Sequence, residues 1–505
     1  MPGTVHLVGA GPGDPGLLTV RARELLTNAE CLVHDYLVSK PILELVPASC
    51  VRHYVGKRGG ADSVRQDDIN ALIVRLAASH RNVVRLKGGD PFLFGRGGEE
   101  AAALADAGVP FTVVPGITSG IGAPAYAGIP VTHRSSSSAV VFVTGHQKHA
   151  PGEPEPDFPW PTVVHVETIV LYMGMHRLAE NCASLVAAGR AATTPVAVVQ
   201  WGTHPVQRTA VGTLADIAAI AKARKLGAPA IVVIGDVVRW REKIRWFDLP
   251  AQAPLHGRRI LVTRAADQAS GLAAALRQRG AEAVLAPLAT SEPCPPDELL
   301  AALAQPHDWI AFTSANAVRA VWAALRAGGR DARALAGSRL AAVGAATAAA
   351  LAEHGLHADL APGGDGGGLG QAMRQAGGAS ALLPMADNAR PELAATLAAA
   401  GWRLTTVTAY RTIPCDPGLD LAQEHLDGVA LASAATVERF VTWAGPHLPR
   451  LVAAGCRFYA IGAHTAAALG THGLACAGIA ATPAVEDLAN AIARDLGQAG
   501  DPGAT

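Results

Sequence analysis

A loop rich in glycine and proline near the amino terminus is the first place where backbone could approach a ligand closely. The sequence predicts a strand over Val5–Val8, the loop over Gly9–Gly16, and a helix over Leu17–Leu26. The loop contains the Gly-x-Gly-x-x-Gly spacing of dinucleotide-binding turns. Asp35 follows the next strand, where an acidic residue would hold a ribose. A nicotinamide-dependent dehydrogenase is therefore one hypothesis.

Three residues of the same loop disfavour a ligand with phosphates. Asp14 puts a carboxylate where the pyrophosphate would lie. Pro12 and Pro15 lack the N–H groups that phosphates need as donors. The loop therefore suits a ligand without phosphate.

Further glycine-rich turns end three later strands, at residues 87–92, 115–119 and 171–174. Runs rich in β-branched residues, such as Val83–Leu86, alternate with helical stretches rich in alanine and leucine, such as Gly98–Ala107. This alternation is typical of α/β domains, in which such turns gather at one edge of the sheet.

Composition bounds the function classes. The 505 residues exceed one ordinary domain, and no apolar run reaches the roughly 18 residues that a membrane helix needs. Lysine plus arginine and aspartate plus glutamate both number 42, so no overall field favours nucleic acid or an anionic membrane. The start of the sequence lacks signal-peptide features, and a cytoplasmic location is expected. Seven cysteines without a Cys-x-x-Cys pair predict neither a disulfide framework nor a metal site.

A Pro/Ala-rich stretch separates two halves. We expect one enzyme over residues 1–248, a linker over 249–257, a second part over 258–497 and a tail over 498–505. The second part repeats itself: Trp309–Val318 resembles Gly428–Val437, and Ala342–Ala348 resembles Ala460–Ala466, at offsets of 119 and 118 residues. Ile260–Leu288 resembles Leu382–Ala409 at about 121 residues. Two similar α/β domains with a cleft between them are predicted.

Small hydroxyl residues recur where the repeated strands give way to helices. Helix N-termini with hydroxyl groups can bind carboxylates without many cations, although simple N-capping is the alternative for each residue. The candidate substrate-binding residues of this kind are Thr313, Ser314, Thr347, Ser433, Thr436 and Thr465.

The first half resembles the tetrapyrrole methylase family, and within it the uroporphyrinogen-III C-methyltransferases, from Val5 to about Asp236. The matching segments, in order, are VGAGPGDPGLLT, VHDYLVS, YVGKRGG, QDDIN, RLKGGDPFLFGRGGEE, VVPGITSGIGAPAYAGIPVTHR, FVTGH, YMGM and QWGTHPVQRT. The resemblance implies an S-adenosylmethionine pocket and no metal. The implied pocket residues are Pro12, Gly88, Gly89, Asp90, Leu93, Thr118, Ser119, Met173 and Gly202.

The same resemblance implies the acid and base of the reaction. Asp35 would accept a proton and Lys57 would donate one, whereas a helix N-cap and a surface charge are the alternatives. Arg58, His133 and Arg134 are candidate partners for the carboxylates of the substrate. The segment Gln147–Pro161 matches nothing and is predicted to be a variable surface loop.

The second half resembles uroporphyrinogen-III synthases over roughly residues 258–495, through RILVTRA, FTSANAV, AAVGAATAAALAEHGL, VTAYRT and AIGAHTAAAL. The resemblance implies one subdomain from about 258–290 plus 413–497 and another from about 291–412. It also implies that Tyr410 assists loss of the hydroxyl group of hydroxymethylbilane. Sequence repetition by itself predicts two consecutive halves instead.

Together the resemblances imply a homodimeric enzyme with two activities. It would close hydroxymethylbilane to uroporphyrinogen III and methylate that product to precorrin-2, with no nucleic acid or membrane as partner. Two alternatives remain open: a methyltransferase of different site selectivity, and a second half that binds tetrapyrroles without catalysis.

Overall fold

The computed structural model describes residues 3–47, 49–56, 64–145, 158–249, 253–264 and 266–497. The chain divides into two compact units. The first unit contains residues 1–260, 274–283 and 489–505, and the second contains residues 261–273 and 284–488.

A parallel five-stranded sheet opens the first unit, in the order β3-β2-β4-β1-β5. Its strands are β1 (Thr4–Gly9), β2 (Cys31–His34), β3 (Val51–Tyr54), β4 (Asn82–Lys87) and β5 (Phe111–Val114). Its helices are α1 (Val20–Thr27), α2 (Lys40–Leu43), α3 (Gln66–Ala77), α4 (Gly97–Asp106) and α5 (Ser119–Tyr126). Apolar clusters cover both faces, as a parallel sheet requires.

A mixed sheet follows, in the order β6-β7-β10-β8-β9. Its strands are β6 (Val140–Thr144), β7 (Thr168–Tyr172), β8 (Pro195–Gln200), β9 (Arg208–Thr213) and β10 (Ala230–Ile234). Its helices are α6 (Leu178–Ala187), α7 (Ile217–Ala223) and α8 (Arg241–Ile244). Strand β10 runs antiparallel to β7 and β8, so those two strands end at the same edge of the sheet.

Two more sheets complete the fold, in the orders β12-β11-β18-β19-β20 and β13-β17-β16-β14-β15. The strands are β11 (Arg259–Val262), β12 (Glu282–Leu285), β13 (Ala289–Pro293), β14 (Trp309–Phe312), β15 (Arg339–Ala342), β16 (Ser380–Ala386), β17 (Arg403–Pro414), β18 (Gly428–Leu431), β19 (Arg457–Ala460) and β20 (Cys476–Ile479). The helices are α9 (Ala266–Gln278), α10 (Pro296–Leu303), α11 (Ala315–Ala327), α12 (Ala345–Ala352), α13 (Gly366–Ala376), α14 (Glu392–Ala398), α15 (Ala434–Ala444), α16 (Leu448–Ala453), α17 (Ala463–Thr471) and α18 (Val485–Leu496).

The internal repeat is visible in these strand orders. The segment pairs that match in sequence are β11–β12 with β16–β17, and β14–β15 with β18–β19. The four matched strands stand in the same order in both sheets, β12-β11-β18-β19 and β17-β16-β14-β15. Each sheet therefore combines one segment of each kind, taken from different copies of the repeat.

The α/β class predicted from the sequence is confirmed, and β1, β4 and α4 lie within a residue or two of their predicted bounds. The predicted helix over Leu17–Leu26 is wrong in its first turn, because residues 15–17 form a 3-10 helix and α1 begins at Val20. The predicted surface loop over Gln147–Pro161 is also wrong at its end. Trp160 is buried in the core of the second sheet, and residues 146–157 lie outside the described residues.

Candidate functional site

Backbone from three strand ends meets at the carboxyl edge of the first sheet. The amide of Gly89 donates to the carbonyl of Gly11 at 2.8 Å, and the amide of Gly11 donates back at 3.1 Å. A β-carbon on Gly116 would lie 2.3 Å from the carbonyl oxygen of Gly89 and 2.8 Å from the α-carbon of Gly9. Only glycine allows this approach, so the three turns form one surface made of main chain.

The carboxylate of Asp90 ties two of these turns together. One oxygen accepts from the amides of Phe92 and Leu93 at 2.8 and 3.1 Å. The other accepts from the amide of Gly116 at 3.1 Å. Asp90 therefore fixes the shape of both turns, and the oxygen that accepts from Gly116 retains a lone pair for a ligand hydroxyl.

Tyr172, which the sequence analysis did not single out, connects the two sheets of the first unit. Its hydroxyl lies 2.6 Å from that of Thr118 and accepts from the amide of Gly120 at 2.7 Å. Burial raises the pKa of Tyr172, so the hydroxyl stays protonated at neutral pH. Ser119 begins α5 at this point, so the end of β7 fixes the start of that helix.

Residues with left-handed backbone follow the strands that face this edge. Met173 comes directly after β7 with φ 55° and is 51% exposed. Trp201 and Thr203, on either side of Gly202, have φ values of 50° and 71°. Such conformations cost free energy in residues with a side chain and gather at ligand sites. A β-carbon on Gly202 would lie 2.1 Å from that of Ala123, so this turn rests on α5.

In the amino-terminal loop, the carboxylate of Asp14 is held by hydrogen bonds from other residues of the protein. Asp14 accepts from the hydroxyl of Tyr126 at 2.7 Å and from the amide of Gly16 at 2.7 Å. The Cγ atom of Pro12 lies 2.7 Å from the place where a β-carbon on Gly122 would be. A loop held in this way offers few free amides to a phosphate, in agreement with the sequence argument against a dinucleotide.

Asp35 lies beside this surface and is linked to a buried charge network. The β-carbon of Leu37 lies 2.7 Å from the place where a β-carbon on Gly88 would be. One carboxylate oxygen of Asp35 accepts from the amide of Leu37 at 3.1 Å, and the other lies 3.6 Å from Nη1 of Arg85. The side chain of Asp35 is 27% exposed and that of Arg85 is 3% exposed. Asp35 can thus meet a ligand while a buried cation orients it.

Glu100 forms the centre of the network. Its Oε1 accepts from Nε of Arg85 at 3.0 Å, from Nζ of Lys87 at 2.9 Å and from the side-chain Nε2 of Gln66 at 3.2 Å. Burial, and then the neighbouring Arg85, lower the pKa of Lys87. A sequence signal existed: Arg85 and Lys87 alternate along an otherwise apolar strand, so they share one face. Their carboxylate partner lies on another element and could not be assigned from that pattern.

Some predicted residues are not brought to this surface. Lys57 and Arg58 lie outside the described residues. His133 stacks on Trp240 at 3.8 Å, and Ser137 of the same turn bonds Thr168 at the amino end of β7. Met173 lies at the other end of that strand. Within one chain, the structure therefore separates His133 and its exposed neighbour Arg134 from the predicted pocket residue Met173.

In the second half, Tyr410 joins the predicted helix-start residues. Its hydroxyl lies 2.9 Å from that of Ser314, which caps α11 by accepting from the amide of Ala317. Thr313 is half-buried at the end of β14. Ser433 caps α15 in the matching place, and its hydroxyl lies 2.8 Å from that of Thr436.

Thr347 and Thr465 differ from the other candidates. Both lie inside helices, α12 and α17, and each is only 4% exposed. The expectation that their hydroxyls face a ligand does not fit this burial, because the alanine-rich helices turn those positions into the core. The amide groups that begin the two helices follow Gly344 and Gly462 instead.

Two absences concern the part of the chain that the structure describes. Within those ranges, no group of three or more His, Cys, Asp or Glu side chains could hold a metal ion. Within the same ranges, no helix combines the length and apolar character needed to cross a membrane.

Known proteins match both halves. Residues 4–218 match the model of the Tetrapyrrole (Corrin/Porphyrin) Methylases, and residues 270–490 match that of Uroporphyrinogen-III synthase HemD. An S-adenosyl-L-methionine-dependent uroporphyrinogen III methyltransferase of Methanosarcina barkeri is 52% identical over 237 residues, which are 47% of this chain and 92% of that protein.

Other relatives extend across the junction or beyond this chain. The porphyrin biosynthesis protein HemD of Ruminiclostridium josui is 39% identical over 364 residues, 71% of each protein. The siroheme synthase of Azotobacter vinelandii is 50% identical over 247 residues, 49% of this chain and 52% of that protein. The chain thus spans about half the length of that relative.

Proposed function

We propose, from the premise that this chain belongs to the tetrapyrrole methylase family and continues into a uroporphyrinogen-III synthase domain, that it makes precorrin-2 from hydroxymethylbilane. The second half closes the linear tetrapyrrole to uroporphyrinogen III with inversion of ring D. The first half then methylates that product at C2 and C7. The observation that carries the methylase proposal is the main-chain surface of Gly9, Gly89 and Gly116 with Asp35 beside it.

The residues at this surface fit S-adenosylmethionine. Glycine backbone leaves room for flat adenine and ribose groups, Asp90 has a lone pair for a ribose hydroxyl, and half-exposed Met173 offers an apolar contact. Pro12, Gly88, Leu93, Thr118, Ser119 and Gly202 complete the proposed pocket. When bound, this donor supplies an electrophilic methyl group.

The protein must align a pyrrole carbon with that methyl group and remove a proton afterwards. We assign the proton acceptor role to Asp35, because it is partly exposed next to the donor surface and is oriented by Arg85. The ring carbon that receives the methyl group carries a side chain and no hydrogen, so methylation leaves the ring positively charged. A proton from the ring nitrogen or the adjacent bridge carbon then moves to the carboxylate of Asp35, which neutralises that charge. Lys57 as proton donor, and Arg58, His133 and Arg134 as carboxylate partners, remain proposals from the resemblance alone.

The second half needs to fold a reactive substrate more than to activate it. Closure requires loss of the hydroxyl group of hydroxymethylbilane, and we assign to Tyr410 the donation of a proton to that leaving oxygen. Its contact with Ser314 supports this role, because the shared hydrogen bond fixes the phenol at the start of α11. Ser433 and Thr436 begin a helix in the matching place of the other sheet and would hold substrate carboxylates.

A one-pot assay tests both halves. The purified chain is given hydroxymethylbilane and methyl-labelled S-adenosylmethionine, and the products are separated by isomer type and number of labelled methyl groups. We expect the doubly methylated type III product. Type I material alone would contradict the synthase and favour a second half that binds without catalysis. Methyl groups at other carbons would indicate a methyltransferase of different site selectivity.

Two further expectations, a homodimer through the methylase half and a cytoplasmic location, stay predictions. The placement of His133 and Arg134 away from Met173 of their own chain makes the oligomeric state worth measuring by light scattering.

A further inference from the structure

The chain that follows the second sheet packs back onto the amino-terminal part of the first unit. We call residues 241–257 the returning segment; residues 250–252 of it lie outside the described residues. The indole of Trp246 donates to the carbonyl of Ala125 at 3.0 Å. The rings of Trp246 and Phe247 lie 4.9 and 4.8 Å from that of Tyr126. The predicted linker over 249–257 thus continues a segment that is packed on the end of α5.

Tyr126 connects this aromatic cluster to the loop that contains Pro12. Its hydroxyl donates to Oδ2 of Asp14 at 2.7 Å, while Oδ1 accepts from the amide of Gly16. Burial raises the pKa of Tyr126, so its hydroxyl remains a donor at neutral pH. The returning segment therefore holds the carboxylate of Asp14 through one intermediate side chain.

A second route from the same segment reaches the backbone of Asp14. Nε2 of His256 lies 3.0 Å from the carbonyl of Gln207. Oε1 of Gln207 accepts from the amide of Thr203 at 2.8 Å, and the hydroxyl of Thr203 accepts from the amide of Asp14 at 3.2 Å. Gln207 and Thr203 are 3% and 2% exposed. The bond between Thr203 and Gln207 is buried and the other two are partly buried, and together they stabilise the left-handed backbone next to Gly202.

The polar character of this route argues for a positioning role. Among the described residues, Nε2 of Gln207 and Nδ1 of His256 are buried without a hydrogen-bond partner. Unpaired buried polar atoms cost stability, so apolar residues would pack this region more favourably. What the polar groups provide is a fixed geometry for Thr203 and Asp14, which bond each other and are close in sequence to Gly202 and Pro12 of the proposed donor pocket.

We propose that the returning segment positions the methyl-donor loop through Asp14, with Tyr126 and Gln207 as the positioning residues. The inference rests on the proposed function, because the loop binds the donor only if the first half is the methylase. Since neither residue touches the reacting carbon, the expected effect falls on donor affinity and not on the chemical step.

The test measures the Kd of the full chain for S-adenosylhomocysteine by calorimetry, with donor KM and kcat from initial methylation rates. Tyr126→Phe removes only the hydroxyl bond to Asp14 and keeps the ring contacts. Hydrogen bonds to charged groups are worth about 1.5–3 kcal/mol, so we expect Kd and KM to rise about tenfold or more, with kcat changed less than about twofold. Phe247→Leu should raise Kd by a smaller factor of about three. Phe158→Leu is the matched control, because Phe158 packs on Trp160 in the other core of the same unit.

The outcomes separate the inference from the proposed function. If the unmodified chain does not bind S-adenosylhomocysteine, the proposed function fails. If it binds and neither Tyr126→Phe nor Phe247→Leu weakens binding beyond the Phe158→Leu control, the positioning role is wrong. If Tyr126→Phe weakens binding and Phe247→Leu does not, Tyr126 still positions the loop, but the claim that the returning segment takes part is wrong. In an Asp14→Asn background, Tyr126→Phe should lose much of its effect, and full additivity of the two changes would contradict the proposal.

Discussion

Two buried cations, Arg85 and Lys87, share the carboxylate of Glu100. Glu100→Gln would remove the ion pair of Lys87 and leave Arg85 with only the partly exposed carboxylate of Asp35, at 3.6 Å. Breaking a buried ion pair costs about 3–5 kcal/mol, and we expect a loss of that order in the free energy of unfolding. Urea denaturation of the first-unit transition measures it.

The neighbouring residue provides the control for this change. Glu99 pairs with Arg96 on the surface, with side chains 54% and 51% exposed. Exposed pairs contribute little, so Glu99→Gln should cost less than about 1 kcal/mol. Equal losses from the two substitutions would contradict the central role of Glu100.

His204 gives a pH-dependent stability at the residue scale. Its ring packs against Gly13, and burial lowers its pKa from the ordinary 6.5, so it stays neutral in the folded protein at neutral pH. When the pH is below 6.5, His204 takes up a proton in the unfolded chain but not in the folded chain. The free energy of unfolding therefore falls as the pH falls. Urea unfolding at about pH 7.5 and about pH 5.5 should show a smaller loss in His204→Gln than in the unmodified chain.

The exposed His165 serves as the comparison for that experiment. His165→Gln should lose as much stability between the two pH values as the unmodified chain. An identical pH dependence in His204→Gln would show that other groups cause the acid sensitivity.

At the scale of elements, the contact between strand ends leaves no space for a side chain. Gly116→Ala would place a methyl group 2.3 Å from the carbonyl oxygen of Gly89, and backbone cannot rotate away as a side chain can. Overpacking of this kind costs about 1–3 kcal/mol, so we expect donor affinity to fall by about tenfold or more. Calorimetric titration with S-adenosylhomocysteine tests this expectation.

Gly98→Ala is the matched control, since nothing lies within 4 Å of its β-carbon position in α4. Alanine is more favourable than glycine inside a helix by up to about 1 kcal/mol. The Gly98→Ala variant should therefore bind S-adenosylhomocysteine normally and unfold at a slightly higher urea concentration. A similar loss of affinity in both variants would mean that glycine content, and not the contact, matters.

The turns at the ends of the strands could be predicted from the sequence, because they depend on the residue types in the turn itself. Glycine and proline mark the ends of β1, β4 and β5 in the sequence itself, and the α/β alternation follows from short apolar runs. The partners of Asp35 and Thr118 were not predictable. Arg85, Glu100 and Tyr172 lie on other elements, and their contacts depend on how strands pair and helices pack.

Burial was the second limit of the sequence. Thr347 and Thr465 share with Ser314 and Ser433 a place near a helix start, yet a shift of a few residues along the helix turns their hydroxyls inward. In alanine-rich helices the polar pattern is too weak to show which face is buried.

At the scale of the whole molecule, the two proposed activities should be separable in one chain. Asp35 lies in the first unit and Tyr410 in the second. Asp35→Asn should lower methyl transfer by at least about a hundredfold, as loss of a general base does, with the rate of type III closure unchanged. The one-pot assay would then accumulate unmethylated uroporphyrinogen III. Tyr410→Phe is the reciprocal variant and should lower closure while methylation of supplied uroporphyrinogen III continues.

Because each sheet combines strands from both copies of the repeat, the strands of one sheet cannot all pair until late in translation. Strand β12 ends at residue 285, and β18, which lies on the other side of β11 in the same sheet, begins 143 residues later at 428. At roughly 5–20 residues per second, the apolar run Ile260–Val262 waits roughly 7–30 s for its neighbour, while β13–β17 can already assemble into the intervening sheet. A nascent chain in which one edge of an apolar strand is unpaired is a substrate for chaperones, and the translation of β18 ends that exposure of β11.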